Sequence, residues 1–362
     1  MWITSSLTTA ITPTAVALGN FDGVHLGHQA VIGAIAPVVE PSVQPSSSDS
    51  NRSQATLQGL STRQRGLNPS GGAEIARPPA GAAVTPMPTV MTFFPHPQEF
   101  FSGQARPLLT PLPEKAAQIA RLGIGQLVLL PFDQALASLS PQEFVESLLI
   151  EQLRVTSISV GKDFCFGRRR QGTVDDLKTL AARYGVAVHV APLTCWGTDR
   201  ISSSQIRQAL STADLKTVRA LLGRPYSLVG RVVQGEQLGR TLGFPTANLL
   251  LPADKFLPQT GVYSVWVQGA NQTPYDLVPG VMNLGMRPTV KGVALTTEVH
   301  LLNWAGNLYG KTLEVHLQSF LRPEQRFESL DALKSQIQQD CQQALGELAR
   351  SPVGSLGAIG AS

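Results

Sequence analysis

The sequence predicts two folds in one chain: an α/β unit on a parallel sheet, then a small antiparallel β-barrel closed by a C-terminal helix. Three observations carry this expectation. Apolar strand-like runs alternate with helical segments up to about residue 210, the pattern of a parallel sheet covered on both faces. From Tyr226 onward the chain turns to short β-rich runs divided by Gly, Pro and Asn, as in a small barrel. Residues 329–348 then read as an amphipathic helix packed on that barrel. A length of 362 residues suits two domains of ordinary size. The expected boundaries are 1–210, a linker at 211–224, 225–350, and a loose tail at 351–362.

The elements follow in order. Residues 14–20 (TAVALGN) read as a buried strand and 27–35 (GHQAVIGAI) as a helix behind it, beginning near His28. Residues 41–88 are rich in Ser, Gln, Pro, Gly and Ala, with little apolar periodicity. They read as a disordered insertion tolerated at the surface. TVMTFF (89–94) is a second strand. LPEKAAQIARLG is a helix stopped at Gly123, and QLVLLPF is a strand. Ser140, Pro141 and Glu143 form a helix start: a cap, a first-turn proline and a return partner three residues on. VTSISVG is a strand, the helix after Thr173 follows, and then the strand VAVHVAPL. Residues 202–210 and 213–223 give two short helices. Five β-rich runs, beginning YSLVGR, GVYSVW, LVPGVM, TTEVHL and KTLEVH, supply the barrel.

Bulk properties exclude several classes. A net charge of +4 from 29 basic and 25 acidic residues is too even for a nucleic-acid coat, though it suits anionic ligands. Cys165, Cys195 and Cys341 are few and far apart, which supports neither a disulfide framework nor a zinc cluster. The first residues lack a basic region followed by a long apolar core, and no stretch has a membrane-spanning character. The expected compartment is the cytoplasm, with no nucleic-acid or membrane partner, for a monomer or weak homo-oligomer.

The first dense motif is Gly19-Asn20-Phe21-Asp22-Gly23-Val24-His25-Leu26-Gly27-His28. A strand ends in a glycine-bearing turn and a helix begins, at the sheet edge where open α/β folds bind ligands. A helix start offers N–H groups to phosphate, and two histidines three residues apart can reach one phosphate chain. Simple capping of the turn and zinc binding are the competing readings. No GK[ST] follows, so this is not a Walker A loop. The motif resembles the HxGH signature of nucleotidylyltransferases, and GNFDGVHLGHQ is similar to the signature of the prokaryotic bifunctional riboflavin kinase/FAD synthetase family. TFFPHP (92–97), GKDFCFGRRRQG (161–172) and ISSSQIRQAL (201–210) continue the resemblance.

The resemblance implies a Rossmann-like domain in which FMN phosphate attacks the α-phosphorus of ATP, giving FAD and pyrophosphate. It implies that His25 and His28 bind ATP phosphates, and that Asn20 and Asp22, within Gly19–Gly23, shape the turn, with Asp22 helping to arrange Mg²⁺. Ser203 and Arg207 would meet nucleotide phosphate, and Asp163 and Phe164 would line the flavin and adenine side. An exposed helix-face arginine is the plain alternative for Arg207, and a solvated basic turn for Arg168, Arg169 and Arg170. His96 reads equally as a turn residue or a ligand contact. Phe94 stands where relatives commonly carry an acidic residue.

The second dense motif is Gly239-Arg240-Thr241-Leu242-Gly243-Phe244-Pro245-Thr246-Ala247-Asn248. Gly239 and Gly243 permit close backbone approach to a ligand. Thr246 and Asn248, two apart on an extended segment, face one side and can share a magnesium ion that keeps substrate phosphates in its shell. A polar turn is the alternative. The motif resembles the PTAN element of riboflavin kinase, and the likeness runs through 261–267, 280–290, 298–313 and 320–340. It implies Glu298 as the base that deprotonates or orients the ribityl 5′-hydroxyl, and Thr246 and Asn248 as Mg²⁺ and nucleotide ligands. Asn283 and Arg287 would form the substrate-side loop, and Arg322, Glu324 and Phe327 a flap facing the flavin, with bulk packing a rival for Phe327. Asn303 replaces the Asp of many relatives.

The implied whole is a bifunctional enzyme with Mg²⁺ as cofactor and ATP as co-substrate. Riboflavin becomes FMN in the second domain, and FMN becomes FAD in the first. A protein retaining one of the two activities, and a flavin sensor, are the alternatives. Neither needs His25, His28, Thr246, Asn248 and Glu298 together. An RNA-binding role lacks its aromatic pair on a basic surface.

Overall fold

The computed structural model describes residues 1–36, 85–235, 238–271, 273, 276–289 and 292–350. The insertion expected at 41–88 lies outside the described residues from 41 to 84, and the tail at 351–362 lies outside them entirely.

The first half contains β1 (Trp2–Thr4), β2 (Thr14–Leu18), α1 (Leu26–Gly33), β3 (Met87–Phe94), α2 (Pro97–Ser102), α3 (Leu112–Arg121) and β4 (Gln126–Pro131). It continues with α4 (Gln134–Ser138), α5 (Pro141–Glu143) running into a π-helical stretch (Phe144–Gln152), β5 (Val155–Gly161), α6 (Val174–Ala182) and β6 (Ala187–Ala191). A two-residue hairpin pair, β7 (Cys195–Trp196) and β8 (Asp199–Arg200), leads to α7 (Ser203–Ser211) and α8 (Leu215–Leu222). The six-stranded sheet has the order β1-β4-β3-β2-β5-β6, and every pairing in it is parallel. The chain moves from β2 to β3 and β4 on one side, then to β5 and β6 on the other. The order therefore reverses between β2 and β5, where an open α/β sheet leaves a crevice beyond its strand ends.

Local chemistry fixes the element starts. Ser140 Oγ accepts the Glu143 N–H at 3.2 Å while the Glu143 carboxylate accepts the Ser140 N–H at 2.8 Å, and Thr173 and Asp176 make the same reciprocal box. Each such cap is worth about 1 kcal/mol. Gly123 and Gly223 take positive φ after α3 and α8, where a residue with a Cβ would be strained. The helix of the first motif starts at Leu26 rather than near His28, because the His25 ring caps it.

The second half contains β9 (Ser227–Val233), α9 (Leu238–Thr241), β10 (Ala247–Leu250), β11 (Gly261–Gln268), β12 (Leu277–Thr289), β13 (Gly292–Leu301), β14 (Thr312–Arg322) and α10 (Leu330–Arg350). The six strands close antiparallel in the order β10-β13-β12-β11-β14-β9. β10 and α9 have no signal of their own in the sequence, since a four-residue strand and a single helical turn carry too few residues to show a period.

Burial follows the alternation. Tyr263, Val265, Met282, Leu284 and Val299 fill the barrel, and the same apolar cluster takes in Ile206 and Leu210 of α7 and Val218 and Leu222 of α8. Val262, Val281, Leu302 and Ala344 pack outside the barrel beneath α10. The parallel sheet has one apolar cluster on each face. Both halves belong to one compact unit.

Candidate functional site: two clefts on two sheets

The larger cleft, about 690 Å³, opens beyond the ends of β2 and β5, at the reversal in strand order. The turn after β2 is tightly specified. Phe21 and Val24 adopt φ of 49° and 44°, conformations a non-glycine residue holds only when its surroundings impose them. Gly23 has φ 87°, and a Cβ there would lie 2.9 Å from Leu109 Cδ1. The Gly23 N–H donates to Thr110 Oγ1 at 2.9 Å, and the Asn20 carbonyl accepts from Lys115 Nζ at 3.0 Å and Thr92 Oγ1 at 3.1 Å.

His25 Nδ1 accepts the His28 N–H at 3.2 Å, and the two rings stack at 3.6 Å with 15° between planes. Burial, aided by the nearby Arg200 charge, pushes His25 down to about 4. Burial and the adjacent His25 hold His28 well below the ordinary histidine value. Both are neutral at pH 7. Because Nδ1 of His25 is the acceptor, its proton sits on Nε2, which is a donor. Among the described residues, buried Asn20 Oδ1 and His28 Nδ1 have no hydrogen-bond partner. Two orphaned polar atoms at the mouth of a strand end suit a polar ligand.

Asp22 is 5% exposed. Its Oδ2 lies 2.5 Å from the Arg207 guanidinium, and its Oδ1 accepts the Thr110 N–H at 3.2 Å. Arg207 also donates to the Pro107 carbonyl at 3.1 Å and lies over the Phe256 ring. It is half-buried and does not line the cleft. The Arg207 guanidinium, expected at nucleotide phosphate, is paired here with Asp22, itself a residue of the cleft lining. Ser203 lines the cleft and donates to the Asp22 carbonyl at 2.8 Å.

Gly19, Asn20, Phe21, Asp163 and Phe164 all line this cleft, while Gly23 lies just behind it. Asp163 pairs with Arg200 at 2.8 Å. Arg200, on β8, is a cleft cation the sequence reading missed, because a two-residue strand gives no local signal. His96 caps α2, accepting the Gln98 N–H at 3.1 Å, which is its turn role, and it also lines the cleft. Exposed Arg169 and Arg170 line its rim, and Phe94 is 58% exposed at the end of β3.

The smaller cleft, about 330 Å³, lies between the outer barrel face and α10. Strand register builds it. Asn248 of β10 stands opposite Glu298 of β13, Glu298 opposite Asn283 of β12, Asn283 opposite Val262 of β11, and Val262 opposite Arg322 of β14. Directly paired residues share a face, so five strands present one continuous row. Gly239, Thr246, Asn283, Glu298, Arg322, Glu324 and Phe327 line the cleft. Asn248 flanks it, its amide so close to Gly235 that a Cβ there would overlap it. A Cβ at Gly239 would overlap the Phe244 carbonyl and lie 3.3 Å from Thr246 Oγ1. Gly243, at φ 89°, shapes the preceding turn. Arg287 lies in β12 opposite Ala294, and its side chain is outside the described residues.

Arg322 forks onto Asp340 of α10, with Nη2 to Oδ2 at 2.8 Å and Nε to Oδ1 at 3.0 Å, and stands over the Phe327 ring. Asp340 is 3% exposed and was not foreseen, since nothing local marks one acid on an amphipathic helix as paired. Among the described residues, no group of three or more His, Cys, Asp or Glu is placed to hold a metal. The neutral oxygens of Thr246 and Asn248, beside Glu298, form a hard donor set. It fits a magnesium ion that takes its remaining ligands from water and phosphate.

A riboflavin kinase model matches residues 222–348, and an FAD synthetase model matches residues 8–44 and 80–205. The bifunctional riboflavin kinase/FMN adenylyltransferase of Escherichia coli (strain K12) is 39% identical over 327 residues, 90% of each chain. The chain belongs to the bifunctional riboflavin kinase/FAD synthetase family. Another such protein, from Pseudomonas fluorescens, is 38% identical over 89% of each chain. A crystal structure described as a macrolide-efflux protein from Streptococcus pneumoniae superposes with a TM-score of 0.72 at 26% identity, covering 95% of this chain and 98% of that one. Among the described residues, no helix is long and apolar enough to cross a membrane. In family terms, the two matched regions hold one cleft each: the His25–His28 cleft falls in the FAD synthetase match and the Glu298 cleft in the riboflavin kinase match.

Proposed function

We propose that the chain phosphorylates riboflavin to FMN in the barrel cleft and transfers AMP from ATP to FMN in the cleft of the parallel sheet, giving FAD and pyrophosphate. The observation that carries this reading is that the two clefts share no lining residue, one presenting His25 and His28 and the other Thr246 and Glu298. We assign residues 1–210 to the adenylyl reaction and 225–350 to the kinase, with Mg²⁺ and ATP serving in both.

In the adenylyl cleft, His25 and His28 remain neutral and donate hydrogen bonds to ATP phosphates. Ser203 and the turn at Gly19–Gly23 complete the cradle, and the Arg207–Asp22 pair keeps the turn in place. Asp163 and Phe164 line the side that takes the bases. No covalent enzyme intermediate is needed, so catalysis rests on alignment and on donors fixed where charge develops.

In the barrel cleft, Glu298 accepts the proton of, or orients, the ribityl 5′-hydroxyl. Asn283 and Arg287 stand on the substrate side, and Arg322, tied to Asp340, holds the flap segment with Glu324 and Phe327. Thr246 and Asn248 would hold magnesium, which when bound neutralises phosphate charge on ATP. Gly239 and Gly243 let the backbone approach the nucleotide.

Product analysis with riboflavin, ATP and Mg²⁺ tests the reading. Glu298→Gln is expected to abolish FMN formation and spare FAD formation from supplied FMN. His28→Ala is expected to leave FMN as the end product. FMN that accumulates without FAD in the unmodified protein would refute the adenylyl assignment, and absence of FMN would refute the kinase assignment.

A further inference from the structure

Arg224 follows α8 and precedes β9, about two hundred residues beyond the histidine turn in sequence. Its guanidinium nevertheless ends on that turn. Nη2 donates to the Gly23 carbonyl at 2.7 Å, and Nη1 donates to the Val24 carbonyl at 3.1 Å and to the Leu222 carbonyl at 3.3 Å. Gln29 Nε2 spans the same two carbonyls, Val24 and Leu222, at 3.0 Å each. Among the described residues, no carboxylate pairs with Arg224 within 4 Å. A buried guanidinium without an ion pair is costly, and burial pulls this one down to about 10. Its charge is spent on backbone oxygens of the phosphate turn.

We infer that Arg224 is a positioning residue for adenylyl transfer: from the end of the linker that leads into the barrel it pins the Gly23 and Val24 carbonyls beneath the turn and so aims the His25 end of that turn at the nucleotide. A trans peptide sets its C=O and the following N–H on opposite sides. With the Val24 carbonyl held underneath, the His25 N–H points the other way. The same fixing sets the entry of α1, whose cap is the His25 ring. Phe21 and Val24 lie in left-handed conformations that relax unless something holds the carbonyls between and after them. Arg224 also adds fixed positive charge near His25, of the sign a phosphate chain seeks.

A second link from the barrel half braces the same turn. Leu108 exchanges backbone hydrogen bonds with the 254–256 segment, its N–H to the Asp254 carbonyl at 2.6 Å and its carbonyl from the Phe256 N–H at 2.8 Å. Lys255 is fully enclosed there, with Nζ 2.9 Å from the Leu109 carbonyl and 2.5 Å from Glu114 Oε2. Thr110, next in sequence, is the residue that holds both Asp22 Oδ1 and the Gly23 N–H.

This inference rests on the adenylyl reading of the larger cleft, and the test separates the two. In the full-length protein, Arg224→Met and Arg224→Lys are compared with wild type for FAD formation from supplied FMN and for FMN formation from riboflavin. Arg224→Met is expected to lower kcat for FAD formation by roughly 10–100-fold, the cost of a small misplacement of aligned groups. KM for FMN and the rate of FMN formation should stay unchanged. Arg224→Lys keeps the charge and can reach one carbonyl, so it should recover part of kcat. Wild-type kcat in Arg224→Met overturns the inference. A parallel loss of both activities, with Arg224→Lys no better than Arg224→Met, also overturns it by making Arg224 a residue of the fold as a whole. Failure of the wild-type protein to make FAD would instead refute the adenylyl reading itself.

Discussion

Acidification is expected to weaken the fold through His25, by an amount the structure sets. His25 is 6% exposed and its affinity for a proton falls from the ordinary 6.5 to about 4. In the unfolded chain the same imidazole takes up a proton near 6.5. Below that pH the unfolded state binds the proton and the folded state does not, so the contribution is complete above pH 6.5 and is lost as pH falls toward 4. At 1.36 kcal/mol per pH unit the loss reaches roughly 3 kcal/mol. His25→Asn isolates it, because asparagine still caps a helix and does not titrate. Urea unfolding of both proteins between pH 7 and pH 4, followed with a probe on the parallel-sheet half, should show the wild type losing about 3 kcal/mol more than the variant. NMR titration of the His25 ring should place its midpoint near 4. Parallel stability curves, or a ring that titrates near 6.5, would show that the imidazole is hydrated and would undo the argument for a neutral histidine pair.

Three further outcomes follow from the same contacts. Asp22→Ala strips the acceptor from Arg207 and the Thr110 N–H; it should cost about 3–5 kcal/mol in chemical denaturation and suppress FAD formation while FMN formation continues. Gly235→Ala places a methyl group into the Asn248 amide; riboflavin phosphorylation should fall sharply, and unchanged FMN production would mean that the Asn248 amide has no part in the reaction. Lys255→Met leaves Glu114 enclosed without its partner. Burial already raises the Glu114 carboxyl toward its neutral form, so the variant should lose about 3 kcal/mol at pH 8 and less at pH 5, read by thermal melts at each pH.

What could be read from the sequence was what is local. The Ser140 box closes within three residues, so a short pattern discloses it. The strand, glycine turn and helix around His25 and His28 show the sheet edge, and two-residue spacing places Thr246 and Asn248 on one side of an extended segment. The parts that escaped depend on distance in the chain. Arg207 belongs behind Asp22, which is 185 residues away. Arg224 reaches the turn from 201 residues away. Asp340 meets Arg322 only because α10 folds back on the barrel. Short pieces escaped for a different reason: β8, β10 and α9 are too brief to express a period, yet they carry or adjoin Arg200, Asn248 and Gly239.

The row running from Asn248 through Glu298 and Asn283 to Arg322 exists only in one alignment of the barrel strands. Side chains on a strand alternate between two faces, so sliding β13 by a single residue against its neighbours would turn Glu298 into the apolar interior and bring Val299 out to the cleft. Sliding by two would restore the face but seat Glu298 opposite different partners. The chemistry of the barrel is thus written in hydrogen-bond alignment as much as in residue identity. The pairing of β12 with β13, Asn283 opposite Glu298, is thus as much a part of the site as the carboxylate itself.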